Sequence, residues 1–253
     1  MPSETRTRIK TKDASELALP PPFTLVTLRE VGDAYAHATS VAAKQGAGTL
    51  VYVGRFDLAE FAVVLEPEQP LRQARCAFYA GMVALADTLT AHAQPETSIS
   101  IDWPDALSIN RGLVGGGRLG WPRGAAEDET PPWLVFGAMI RTVSISGTEP
   151  GLHPLSTALE EEGFTDVLAG QLVESFARHL MVALDAWQEQ GFSAVAKEYL
   201  RRLAPEAGLR RDIDDNGDLL LRRAGKTATE SKKLKPALAA PSWLDPEMRG
   251  PRL

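Results

Sequence analysis

The stretch from Asp102 to Gly117 constrains this chain more than any other. It reads Asp-Trp-Pro-Asp-Ala-Leu-Ser-Ile-Asn-Arg-Gly-Leu-Val-Gly-Gly-Gly. Strand formers lie on both sides of Asn110-Arg111-Gly112, so two short strands joined by a turn are predicted, over 106–109 and 114–119. Proline holds the residue before it extended, so Trp103-Pro104 fixes where the first half begins. Gly115, Gly116 and Gly117 leave a strip of backbone without side chains. Such a strip admits close approach of a ligand, or it marks a bent or bulged strand.

The surrounding pattern alternates strands with helices. Strands are expected over 24–30, 49–53 and 61–65, a helix capped by Asp33 runs to Gln45, and another helix spans Leu71–His92. Phe78, Met82, Leu85 and Leu89 recur at helical spacing and mark its core face. Ser98–Ile101 reads as a short strand. Trp133–Ile140 is nearly all apolar, which fits a central strand covered on both faces. A short helix is expected over 154–162, a long one from a Thr165 cap to Gln190, and a third over 193–203. Asp214-Asp215-Asn216-Gly217 between short β-segments signals a hairpin. The fold class is therefore α+β, a mixed or antiparallel sheet packed with helices.

Four regions are expected: a flexible lead over 1–22, a main domain over 23–205, a small β-element over 206–223, and a basic Pro/Ala-rich tail over 224–253. The tail reads as disordered, although Trp243-Leu244 has the apolar content to dock.

Charge narrows the partners. The net charge is −6, and the segment 23–223 alone carries about −10, so phosphate-backbone binding by the folded part is not expected. Lys232-Lys233-Leu234-Lys235 reads as a solvated run. No apolar run is long enough to span a membrane, and no secretory leader is visible. A single cysteine, Cys76, rules out an internal disulfide and fits a reducing compartment, so the expected location is cytoplasmic. His37, His92, His153 and His179 are scattered without ligand spacing, so no metal site is expected.

Several of these segments together resemble the biotin/lipoate protein ligase superfamily, across roughly residues 23–223. Trp103-Pro104 matches the Trp-Pro of its Lys-Trp-Pro-Asn-Asp motif. Gly115 matches the glycine of its Lys-x-x-Gly strand. Leu134–Ile140 resembles its glycine-bearing strand, and Ile213–Leu221 the hairpin that opens its C-terminal domain. The resemblance implies a protein handling a small carboxylic acid or acyl group, such as biotin, lipoate or octanoate, for attachment to a lysine of an acyl- or biotinyl-carrier domain. ATP is the co-substrate it implies; the residues alone identify no cofactor.

The departures bear on chemistry. The family's active-site lysine stabilises charge during adenylation. Gly112 stands at its place, and no lysine occurs from residue 45 to residue 196. Asp102, Asp105 and Ala106 replace the Lys, Asn and Asp of the Trp-Pro motif. The Gly-Arg-rich loop that closes over the acyl-adenylate is reduced to Gly54-Arg55-Phe56-Asp57. The related transferases use a cysteine that follows the Trp-Pro motif, whereas Cys76 precedes it. A non-catalytic relative that binds the acyl group or acylated carrier is the alternative.

On either reading the ligand-binding candidates are Arg55, Trp103, Asp105, Arg111, Gly115, Gly116, Gly117 and Arg118. Arginine grips a carboxylate in two places but is no general base at ordinary pH. Strand alternation puts Arg118 on the face of Gly116, opposite Gly117. Each candidate also has a plainer reading: surface arginines, a packed Trp103, an Asp105 that holds a turn or pairs with Arg111.

Overall fold

In the computed structural model, residues 17–144, 155–165 and 167–253 are described. A seven-stranded sheet organises them, in the order β1 (Thr24–Leu28), β2 (Thr49–Gly54), β3 (Leu58–Leu65), β7 (Leu134–Arg141), β6 (Gly112–Gly120), β5 (Ala106–Ile109), β4 (Ile99–Asp102). Only β1 and β2 pair in parallel, because α1 (Ala34–Gln45) forms the crossover between them. The other neighbours are antiparallel, so the sheet is mixed.

One sheet face packs on α3 (Ala77–His92) and α4 (Ala169–Gln190), and on it lie Leu50, Phe61, Val63, Phe136 and Leu107. Phe136 stacks on Phe176 of α4 at 5.7 Å. Gly81 of α3 sits directly on the Phe136 ring, where a β-carbon would overlap it. The helices approach the sheet closely because that position has no side chain. The opposite, front face is covered in part by α1, whose Ala34, Ala38 and Ala42 pack on Val51, Val53, Ala62, Val64 and Val135. Small residues on every fourth position of α1 make a flat stripe that suits a sheet. β7 is buried at every residue, as its continuous apolar run predicts.

Several boundaries differ from the sequence reading. The first strand stops at Leu28. The helix expected over Leu71–His92 is broken into α2 (Leu71–Ala74) and α3, with a tight turn at Arg75-Cys76 between them. Residue 154 lies outside the described residues, and 155–163 form bridges and turns rather than a helix. The Leu113 amide donates to Leu155, and Leu113 accepts from Thr157, so β6 captures this segment as a partner. The long helix begins after Leu168, whose N–H donates to the Gln171 side chain at 2.9 Å, and not at Thr165.

After α5 (Phe192–Arg202), β8 (Leu209–Ile213), β9 (Leu219–Arg223) and β10 (Thr229–Lys232) form a three-stranded antiparallel sheet. The tail expected to be disordered is instead packed. It forms α6 (Leu234–Ala237) and a small hairpin of β11 (Leu244–Asp245) and β12 (Gly250–Pro251). Leu234 and Trp243 are buried almost completely. Composition pointed to disorder because the apolar anchors are few, yet Leu234, Leu238 and Trp243 are all buried. No described helix is long and apolar enough to cross a membrane.

Candidate functional site

The three glycines of β6 serve three different neighbours. Gly115 has φ +156° where the β5–β6 register shifts, so it accommodates a bulge. Gly117 faces the helices, and a β-carbon there would press on Met82 Sδ at 2.7 Å and on the Phe136 ring at 2.8 Å. Gly116 faces the front, where its missing side chain leaves room for the indole of Trp243. Trp243 sits among Ala106, Met139 and Gly116, with Leu113 and Leu244 at the edges. Its Nε1 donates to the Gly117 carbonyl at 3.0 Å. The space over Gly116 is thus occupied by the chain itself, while Gly115 takes up the bulge that is the other reading of the strip.

Asp105 holds this arrangement. Its carboxylate accepts from the Ser242 amide at 2.9 Å and from the Ser242 hydroxyl at 2.5 Å. It is almost fully buried, and burial pushes its carboxyl above the usual carboxylate range, against the lowering effect of the two Ser242 bonds. Asp105 therefore anchors a strap. No contact with Arg111 is found for it: Arg111 is exposed at the β5–β6 turn, where Asn110 and Arg111 both have positive φ. That geometry joins two strands in two residues and carries Arg111 away from the sheet face.

Trp103 follows the plainer reading as well. It precedes a cis proline, and its Nε1 donates to the Tyr79 hydroxyl at 3.3 Å. Tyr79 in turn donates to the Gly217 carbonyl at 2.6 Å, and Lys232 lies 5.9 Å from the Trp103 ring centre. Tyr79 thus ties α3 to the 214–217 turn, and Trp103 joins that chain and packs against the main core rather than over the front face.

Beside the Trp243 seat, at the start of α1, the front face is charged. Arg118 lies on it, as alternation predicts, with its guanidinium 4.0 Å over the Tyr35 ring and Nη2 3.3 Å from Asp33. Burial lowers its pKa from the ordinary arginine value, opposed by the charges of Asp33, Tyr35 and Glu60. Glu60 is buried in β3, and its Oε1 accepts from the Ala34 amide at the first turn of α1, at 2.9 Å. Burial raises its carboxyl above the usual range despite that bond. Arg55 is clamped by Asp57 through Nε at 3.0 Å and Nη2 at 2.5 Å, and lies 3.9 Å from Glu60. Asp33, Tyr35, Glu60 and Trp243 were not among the sequence candidates. Glu60 carried a signal, being the lone charge inside an apolar strand.

A model of the biotin/lipoate A/B protein ligase family matches residues 19–201. The chain belongs to this family. Among solved structures, it is similar to a biotin protein ligase-like protein of unknown function from Silicibacter sp. TM1040, with 29% identity over 89% of this chain and 100% of that one, TM-score 0.75. It shares its fold with the biotin protein ligase of Aquifex aeolicus, at 14% identity over 83% and 99% of the two chains, TM-score 0.60. The biotin protein ligase of Leishmania major bound to biotin is comparable, at 14% identity over 84% and 98%, TM-score 0.52. Among curated proteins none matches the chain.

Within this ligase-family fold the chemical complement is unusual. At Gly112 a β-carbon would lie 2.9 Å from Thr157, so the backbone there is closed in by the 155–159 segment. Cys76 is buried, and burial pushes its thiol up to about 12, far from a reactive thiolate at neutral pH. Among the described residues no group of three or more His, Cys, Asp or Glu is arranged to hold a metal ion.

Proposed function

We propose that this chain is a non-adenylating relative of the ligases, which binds a small acyl group or the acylated carrier domain without activating it. One observation carries the reading: the two arginines beside the start of α1 are already neutralised. Arg55 is paired with Asp57, and Arg118 with Asp33, while Glu60 adds a further carboxylate. A triphosphate needs a net positive, preorganised field, and this cluster has more acids than bases. A single carboxylate needs less. Arg118 meets Asp33 through one contact of 3.3 Å, and that Asp33 oxygen already caps the Ala36 amide at 2.8 Å. The remaining edge of the guanidinium suits a ligand carboxylate or acyl carbonyl.

Pyrophosphate–ATP exchange with biotin, lipoate and octanoate tests the first half. No exchange is expected, and exchange that disappears in Arg118→Ala would overturn the reading in favour of a ligase. Thermal stabilisation by one of these acids, or by an acylated carrier domain, tests the second half. It is expected in the wild type and lost in Arg118→Ala.

A further inference from the structure

The C-terminal segment covers the face on which that binding reading depends. From it we infer that residues 241–252 are a displaceable latch, competing with the acyl ligand for the space over Gly116. The inference rests on the acyl-binding reading above, and the tests below separate the two.

Four features of the strap set it apart from permanent core. First, its apolar seat is a small cluster of Ala106, Met139 and Trp243, distinct from the main core between the sheet and α3–α4. Second, none of the seven-strand ladder runs through it: β11 and β12 pair only with each other. Third, its polar fastenings come from few side chains. Asp105 holds Ser242, and Arg141 Nη2 donates to the Pro251 carbonyl at 2.5 Å. Arg141 Nη2 also reaches the Arg252 carbonyl at 3.3 Å, and Trp243 Nε1 donates to the Gly117 carbonyl at 3.0 Å. Within the strap itself, the Arg252 amide bonds the Trp243 carbonyl at 2.8 Å and Arg252 Nε the Ser242 carbonyl at 2.9 Å. It can therefore leave as a preformed unit.

Fourth, the strap joins the rest of the chain through a short exposed connection. Ala239 and Ala240 are exposed, and just before them α6 stays docked through Leu234 and Leu238. Asp218 accepts from the Leu234 amide at 3.0 Å and from Lys233 Nζ at 2.7 Å, fixing α6 to β9. Rotation about 239–241 lifts Trp243 off Gly116 while β8–β10 and α6 remain in place. The space vacated is floored by glycine backbone, walled by Ala106 and Met139, and lies on the same strand and face as Arg118, two residues along. An acyl group with a carboxylate or carbonyl head fits such a site, tail over Gly116 and head toward Arg118.

Native-state hydrogen exchange on the full chain tests the latch without any ligand. Residues 241–252 are expected to exchange through an opening less sensitive to urea than global unfolding; exchange only with global unfolding overturns the latch. Binding of octanoate, lipoate and biotin is then compared between wild type and Trp243→Ala. At least tenfold tighter binding is expected in the variant, because the closed state no longer withholds the site. Asp105→Asn, which loosens the strap without removing the indole, is expected to shift affinity in the same direction. Equal affinity in wild type and both variants overturns the latch and leaves the acyl-binding reading standing. Binding by none of the three proteins overturns the acyl-binding reading, and the latch with it.

Discussion

Ser242 donates twice to the Asp105 carboxylate, through its amide and its hydroxyl, across 137 positions of sequence. The pair links the Trp-Pro turn to the strap that closes the front face. Asp105→Ala removes both acceptors. A loss of about 1–2 kcal/mol is expected in urea unfolding, with helix content unchanged by circular dichroism. A loss confined to noise would show that the strap does not depend on this pair.

The pH dependence follows from the two buried acids. Burial raises the carboxyls of Asp105 and Glu60 above their ordinary values. The folded state then binds protons more tightly than the unfolded state between the two pKa values, so stability rises as pH falls through that window. As pH falls through the raised value toward the ordinary carboxylate range, wild type should gain stability relative to Asp105→Asn. Urea midpoints measured at several pH values check this, and parallel profiles for the two proteins would refute it.

Gly112→Lys restores the family's lysine in sequence only. A β-carbon there meets Thr157 at 2.9 Å, and Arg55 and Arg118 stay paired with their carboxylates. The variant is expected to be less stable, by about 1–3 kcal/mol for overpacking, and to show no pyrophosphate–ATP exchange. Exchange above the wild-type background would place the chain one substitution from a working ligase.

Much of the fold was legible because its signals are local. The apolar run of β7, the α3 periodicity through Phe78, Met82, Leu85 and Leu89, and the Asn-Gly hairpin turn each report on their own neighbourhood. The site was less legible because its partners are distant in sequence. Nothing near Gly116 announces an indole from position 243, and nothing near Arg118 announces Asp33 and Tyr35. Arg111 illustrates the converse: it sits beside the glycines in sequence, but a two-residue turn with positive φ sends it into solvent. Composition also misjudged the tail, since a few apolar residues suffice where a seat already exists.

Gly81→Ala tests the close contact of α3 with the sheet. Alanine favours helix by up to about 1 kcal/mol, but its β-carbon would overlap the Phe136 ring. Net destabilisation is expected, and Phe136→Leu in the same chain should recover part of it. Additive losses in that double-mutant cycle would mean that the two residues do not press on each other.

Cys76 should resist thiol reagents in the native protein, because its thiol is buried and titrates near 12. Labelling with a chromogenic disulfide at pH 8 should be complete in urea and slow without it. Fast native labelling would reopen the transferase chemistry.

The contact of Trp243 with Gly116 has a kinetic and cellular consequence. An indole on a short tether revisits its seat at an effective local concentration on the order of mM. On the latch proposal, a scarce free acid would lose that contest, whereas a group held in place by protein–protein contacts would enter it on similar terms. Selection would then fall on how a ligand is delivered before it falls on what the ligand is.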